Sequence, residues 1–348
     1  MTIEEVLKLE NNKNFEGVFA VVNVSLKPFK EKEGNYLAFF LQDKTGREPA
    51  KIWDNADKWK EKIVDDIVIF AKGKSNIFSG KNQVVLDEFE IQEKYDLNNF
   101  LLSSKLDAKV MLHELKSILF SEMNPELNSF LTKSYFNDEE FMEQFTKCPG
   151  GKGEVHHAYI HGLLEHTLGT VKLCNYYCDL YPEANCDILK TGAFLHDLGK
   201  IYSYKFGISI EMTDVGRLHG HACLGYFDFL TKINDFDGML EEGVKSEYKK
   251  LLGHMILSHH GSFDKQAAAT PMTLEATLLV KADSTDADAN FVSTVVTNKE
   301  EDWTPFNYLM NRSYYKKIET LKEEVKEIVI EKKKVKKDKQ TLYKYEEK

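Results

Sequence analysis

The sequence predicts a multidomain α+β protein, with a five-stranded β-barrel at the N-terminus followed by an all-helical domain. Two observations predict it. Between Phe15 and Glu93, short alternating or apolar runs (GVFAVVNVSLKPF, NYLAFFLQD, EPAKIWD, DIVIFAKGKSNIF, NQVVLDEFEIQ) are separated by turn-forming residues, the period-2 pattern of strands. From Tyr159 to about Arg312, segments such as GLLEHTLGTVKLCNYYCDLY, DILKTGAFLHDLGK, HACLGYFDFLTKI, SEYKKLLGHMILSHH and TLEATLLVKADSTDADANF repeat their apolar residues at helical spacing. With 348 residues, each part can bury a core of its own.

Turns fall at Glu33-Gly34-Asn35, Asp43-Lys44-Thr45-Gly46 and Ser79-Gly80-Lys81, and a short polar helix, roughly Asn55 to Lys62, follows the third strand. Five strands with a helix after the third suggest an OB barrel, and LQDKTGREPAKIWD resembles OB domains of the nucleic-acid-binding anticodon type. Such barrels bind single strands by base stacking and phosphate contacts. The candidates are Phe39, Trp53, Phe78, Lys51, Lys72, Lys74 and Lys81, each weighed against the plainer role of strand aromatics as core.

The divisions fall at 1–94 for the barrel, 95–150 for connecting helices, 151–312 for the helical domain and 313–348 for a charged tail. In the connecting part the apolar stripe is Leu101, Leu102, Leu106, Val110, Leu112, Leu115, Ile118 and Leu119. The tail reads as a solvated helix with a sparse stripe at Ile318, Leu321, Val325 and Ile328. The formal net charge of −10 is concentrated in the middle of the chain, while the barrel is nearly balanced and the tail basic. Excess carboxylates in the middle suit divalent cations, and net charge excludes no phosphate-bearing partner. The N-terminus lacks a signal-peptide pattern and no run of about 18 apolar residues occurs, so the expected compartment is the cytoplasm, with no membrane contact. Five cysteines without C-x-x-C spacing argue against a zinc or redox motif, and Cys174 and Cys178 fit one helix face as small core residues.

The chemistry centres on His196-Asp197 in AFLHDLGK, where an apolar helix delivers an imidazole and a carboxylate side by side just before Gly199. At a helix end both can converge on one cation, and the pair suits Mn, Fe, Co or Zn. His166, thirty residues upstream, and Asp283, in LLVKADSTDADA, are further polar residues on otherwise apolar helices. One such histidine is ordinarily a satisfied core residue; four such positions on three helices are costly to bury without a purpose. His219-Gly220-His221 and His259-His260 add imidazoles in the order that a second metal requires.

The series GLLEHTL, AFLHDLGK, GRLHGH, ILSHHG and VKADSTDA resembles the HD superfamily of phosphohydrolases across 157–290. Behind an OB barrel, it resembles the YhaM-type 3′-to-5′ exoribonucleases of Gram-positive bacteria. The resemblance implies that His166, His196, Asp197 and Asp283 hold a first metal and that His221 with His259 or His260 holds a second, Asp197 bridging. It implies manganese or a similar ion (cobalt, iron, zinc or magnesium), two per site, activating water for attack at phosphorus. Lys200 and Arg217 are the cations placed near phosphate oxygens, with surface ion pairs as the alternative, and His157 resembles a position near the substrate. Two departures stand out: SFDKQAAATPMT after His260 where a Gly-Ser-Pro turn is common, and His161 where a glycine is common.

The function expected is a metal-dependent exoribonuclease acting on single-stranded RNA, with single-stranded DNA and self-association left open. The alternatives are an HD phosphodiesterase of small nucleotides, which leaves the barrel without a task, and a nucleic-acid-binding protein with a vestigial HD site.

Overall fold

The computed structural model describes residues 1–315 apart from 30–32, 79–80, 154–155, 239, 298–301 and 309, and the side chains of residues 78, 81 and 297 also lie outside it. Residues Met1–Ala287 form one compact unit and Asp288–Lys348 a second.

A short helix α1 (Ile3–Leu7), closed by a capping box between Thr2 and Glu5, leads into β1 (Asn14–Pro28). Then come β2 (Asn35–Asp43), β3 (Gly46–Ile52), helix α2 (Ala56–Lys60), β4 (Val68–Phe78) and β5 (Lys81–Ile91). The strand order β1-β2-β3-β5-β4 closes into a barrel, with only the β3–β5 pair parallel. Closure removes the sheet edges, and this order with a helix after β3 is the OB arrangement anticipated. β1 serves two neighbours because its register shifts between Val22 and Ser25, around Asn23 at φ 59°. Gly73, beside the register shift in β4, has no alternative: a Cβ there would lie 2.1 Å from the Val85 carbonyl oxygen. The β2–β3 turn is held by Asp43, whose carboxylate accepts from the Thr45 and Ile3 amides.

Side-chain alternation sets what faces inward. Leu37, Phe39 and Leu41 of β2 and Ala50 and Ile52 of β3 fill the core with Phe15, Phe19, Ile69 and Leu86. Phe39, 2% exposed, is therefore a core residue and not a stacking surface.

After the barrel, helix α3 (Ala108–Leu119) is capped by Asp107 and buries Met111, Leu115 and Leu119. The expected stripe begins too early: Leu101 and Leu102 precede the helix, and Leu106 and Val110 are exposed. Next come α4 (Pro125–Leu131), a π-helical turn at Thr132–Phe136, α5 (Glu139–Lys147), α6 (Gly162–Leu180) and α7 (Cys186–Leu195). They share one core with α10 (His221–Asp235), α11 (Glu242–Ser258) and α12 (Leu274–Thr297), built on Tyr135, Phe145, Leu164, Phe194, Phe229, Ile256 and Leu279. Cys174 is buried in it and Cys178 half-buried.

This half is not wholly helical. Between α8 (Lys200–Ser203) and α9 (Asp214–His219), a hairpin pairs β6 (Tyr204–Phe206) with β7 (Ile210–Met212). Its tip, Ile208, packs with Ala20, Val22, Val68 and Phe100 at the side of the barrel. Gln42 Nε2 donates to the Phe100 (2.6 Å) and Ile208 (3.0 Å) carbonyls and its Oε1 accepts from Arg47, so the barrel is fastened to the helical half through buried polar groups.

In the second unit the described residues are the end of α12 and 302–315, where Trp303 pairs with Tyr315 and Asn307 with Arg312. The expected tail helix, including Ile318, Leu321, Val325 and Ile328, lies outside the described residues.

The inward row of β3 also carries Glu48, 3% exposed, whose carboxyl burial pushes up to about 7. The native state therefore binds a proton that the unfolded chain releases, so stability is full below about pH 4.5 and falls as pH rises through about 7. Discounted for solvent screening, the loss is on the order of 2 kcal/mol. Urea denaturation across this window is expected to show the slope in the wild type and a flatter profile in Glu48→Gln; equal slopes would remove Glu48 as the cause.

Candidate metal centre

Five helices converge on one buried point. α6 brings His166, the end of α7 brings His196 and Asp197, α10 begins with His221, α11 ends at His259-His260, and α12 brings Asp283. His166, His196, Asp197 and His259 are at most 2% exposed. Close backbone approach makes this convergence feasible. A Cβ on Gly199 would lie 1.9 Å from the His221 carbonyl oxygen, so only glycine lets the start of α8 touch α10.

Asp197 is at the centre and its two oxygens face different groups. Oδ2 lies 3.3 Å from His166 Nε2 and 3.5 Å from His196 Nε2, and Oδ1 lies 3.1 Å from His221 Nε2 and 3.6 Å from His259 Nε2. Asp283 Oδ1 completes the first group at 3.2 Å from His166 Nε2 and 4.0 Å from that of His196. His260 Nε2 completes the second at 3.1 Å from His221 Nε2. All seven residues expected as metal ligands are thus brought together, in two groups that meet at Asp197.

Three imidazoles are oriented from behind. The Nδ1–H of His196 donates to the Ala193 carbonyl (2.8 Å), that of His259 to the Ile256 carbonyl (2.7 Å) and that of His166 to Asp286 Oδ2 (2.7 Å). With a proton on Nδ1, each Nε2 is the inward nitrogen left to meet a cation, as in metal sites. His166 and His196 then face each other Nε2 to Nε2 at 3.3 Å, and His221 and His259 at 3.4 Å. Ring nitrogens this close need a proton or a metal ion between them, and Asp197 Oδ1 is buried without a well-formed hydrogen bond. Nitrogen and carboxylate donors in this number fit a divalent ion of borderline hardness.

The electrostatics agree. Burial opposes charge on His166, but Asp197, Asp283 and Asp286 outweigh it and hold its pKa well above the usual histidine range, so without a metal a proton occupies Nε2, in the place a cation would take. Burial keeps His196, His259 and His260 below theirs, hence neutral. Asp197 stays ionised despite burial because Lys200 and His196 favour its charge. Burial also opposes charge on Asp283, yet His166 and His196 hold it below the carboxylate range.

The outer residues are distributed differently from expectation. Lys200 is buried, with Nζ 2.6 Å from Asp197 Oδ2 and donating to the Gly150 carbonyl at 2.6 Å. It balances the central carboxylate and does not stand open to a phosphate. Arg217 is exposed on α9. His157 is buried, 2.9 Å from both the Tyr159 hydroxyl and Asp286 Oδ2. His161 takes the left-handed backbone at φ 68° before α6, the conformation glycine adopts most easily, and its Nδ1 meets the Thr146 carbonyl. The segment after His260 forms a turn with Gly261 at φ 85° and a short 3-10 helix at Phe263–Lys265.

Two groups escaped the sequence reading. Asp286, three residues after Asp283 on α12, is the first; that i, i+3 spacing was the available signal. The second is on the barrel, where Phe29 and Tyr36 join the expected Trp53 in a half-buried aromatic group with centroids 5.0–6.0 Å apart, and the expected Lys51 has Nζ 4.9 Å from the Trp53 ring. Lys72 and Lys74 are exposed on β4, and the side chains of Phe78 and Lys81 lie outside the described residues.

A protein-family model described as an HD domain matches residues 163–288, which contain every residue of both groups. The helical half thus contains an HD domain, and the chain is an enzyme. It is 28% identical over 310 residues to the 3′-5′ exoribonuclease YhaM of Geobacillus sp. (strain WCH70), covering 86% of this chain and 91% of that protein. To the YhaM exoribonuclease of Bacillus subtilis (strain 168) it is 28% identical over 306 residues, covering 86% of this chain and 93% of that protein. Among solved structures, the second OB-fold domain of replication protein A from Methanococcus maripaludis matches 26% of this chain and 93% of its own, at 20% identity and a TM-score of 0.22. A replication protein A heterotrimer bound to single-stranded DNA matches 33% of this chain and 88% of its own, at 18% identity and a TM-score of 0.22. Among the described residues no helix is long and apolar enough to cross a membrane.

Replacing Gly199 by alanine in the HD domain forces α8 and α10 apart and is expected to cost about 1–3 kcal/mol. Urea denaturation of the variant measures it; wild-type stability would mean that the two helices separate without penalty.

Proposed function

We propose that this protein is a metal-dependent 3′-to-5′ exoribonuclease that removes 5′-mononucleotides from single-stranded RNA in the cytoplasm. The observation that carries the reading is the division of Asp197 between two groups of inward-facing imidazoles. Similarity to YhaM exoribonucleases along 86% of the chain supports the choice of a polymer end over a small nucleotide.

His166, His196 and Asp283, with Asp197 Oδ2, are the donors we assign to one cation; His221, His259 and His260, with Asp197 Oδ1, are those we assign to another. Bound there, manganese or a similar ion would supply Lewis-acid stabilisation of phosphoryl oxygens and an attacking water of lowered pKa. In the reaction, water oxygen joins the terminal phosphorus as the P–O3′ bond breaks. The mononucleotide leaves with the new oxygen on its 5′-phosphate, and the departing O3′ takes a proton. Lys200 keeps Asp197 ionised and oriented, Arg217 is the cation left to meet phosphate, and His157, buried with both ring nitrogens engaged, is not assigned to the substrate. On the barrel we assign base stacking to Tyr36, Trp53 and Phe29, with Lys51, Lys72 and Lys74 on phosphates.

Incubation of the full-length protein with Mn²⁺ and RNA labelled at either end tests this. A 5′ label is expected to mark a descending ladder and a 3′ label to appear at once as mononucleotide; undegraded 3′-hydroxyl RNA overturns the reading, whereas trimming of DNA as well only widens the substrate. His196→Ala and Asp197→Ala should each lower the rate by at least about 100-fold, beyond the loss typical of a group that only supports a ligand.

The barrel has its own measurement. Trp53→Ala is expected to weaken single-stranded RNA binding in chelator by about 1–3 kcal/mol. Unchanged filter binding would move the contact surface elsewhere on the barrel.

A further inference from the structure

We propose that Asp286 is a positioning residue, whose carboxylate fixes His166 in the tautomer and orientation that aim Nε2 at Asp197 and Asp283 and ties His157 to the same point. The proposal rests on the reading that His166 holds a cation.

The geometry is specific. Asp286 Oδ2 lies 2.7 Å from His166 Nδ1 and 2.9 Å from His157 Nε2. A nitrogen lone pair cannot face a carboxylate oxygen at 2.7 Å without a proton between them, so Nδ1 of His166 carries a hydrogen and Nε2 is the nitrogen left for a cation. Asp283 and Asp286 are three residues apart on α12, so one helix face supplies both a carboxylate beside Nε2 and the one behind Nδ1. The fit leaves room for nothing else: a Cβ on Gly169, one turn beyond His166 on α6, would lie 1.9 Å from Asp286 Oδ1. His157 reaches the same oxygen from a left-handed backbone at φ 51°, with its other nitrogen at the Tyr159 hydroxyl. One half-buried carboxylate thus joins the loop before α6 to the first ligand of the centre.

His157, His166 and Asp286 also lie close enough together to hold an ion of their own. A neutral imidazole offers one lone pair, however, and an ion behind Nδ1 would take His166 away from Asp197 and Asp283. The positioning role is the one compatible with a ligand at Nε2. A carboxylate behind a ligating histidine sharpens its orientation and raises its basicity, an effect typically of 10–100-fold in metal affinity.

The test uses full-length wild type, Asp286→Asn and Gly169→Ala, titrated calorimetrically with Mn²⁺ alone, and ¹H–¹⁵N NMR of the histidine ring N–H groups in metal-free protein. Asp286→Asn is expected to bind Mn²⁺ about 10–100-fold more weakly and to lose the low-field, hydrogen-bonded Nδ1–H signal of His166. Gly169→Ala keeps the carboxylate in the chain but displaces it, and should change both readouts in the same direction; it decides the matter if Asp286→Asn does not fold. Wild-type affinity together with an unaltered Nδ1–H signal overturns the proposal, as does loss of a whole equivalent of bound Mn²⁺ at unchanged affinity for the rest, which would make Asp286 itself a ligand. Absence of Mn²⁺ uptake by the wild type would defeat the metal reading instead, and the Nδ1–H signal would still decide the role of Asp286.

Discussion

A buried carboxylate with two oxygens facing opposite ways is the constraint on which the helical half depends. Asp197 is 2% exposed, and a carboxylate at that depth is tolerable only if positive or hydrogen-donating groups surround it. Lys200 supplies a cation one turn later, and histidines from three other helices close in on both oxygens. The packing follows from this demand. α6, α10 and α11 must each present an imidazole within reach of the same point, and glycines stand where a side chain would intrude, at 199 against the α10 backbone and at 169 against the Asp286 carboxylate.

Much of this was legible in the sequence because buried polar residues on apolar helices violate the ordinary pattern. His166, His196, Asp197 and Asp283 each interrupt a run of core residues, and the structure brings all four within one cluster. Asp286 was missed because it lies in a stretch already rich in polar residues, STDADA, where one more carboxylate looks like a solvated face. Lys200 was given an outward role because a lysine after a helix end is ordinarily solvated; its burial follows from the unpaired charge of Asp197 three residues earlier.

On the barrel, the number and order of strands could be read from turns and alternation, yet one of the aromatics chosen for binding faces the wrong way. Parity explains it: Phe39 shares its row with Leu37 and Leu41, whereas Tyr36 is on the opposite row. Alternation along β2 was visible, but which row was the inner one became evident only when closure placed Leu37, Phe39 and Leu41 against Ile69 and Leu86. The β6–β7 hairpin was unreadable for another reason. Two strands of three residues each are too short for a periodic signal, and they exist because Ile208 finds a seat among Val22, Val68 and Phe100.

That seat has a consequence for how a strand would be handled under the proposed function. Gln42 grips the backbone on both sides of the join, at Phe100 and at Ile208, so the barrel is bolted to the segment that leaves the His196-Asp197 turn and does not hang from a loose tether. If that function holds, the fixed distance between barrel and metal centre would work as a ruler: chains long enough to span it would be held while their ends were trimmed, and shorter ones would leave, so the architecture would set the size of the remnant.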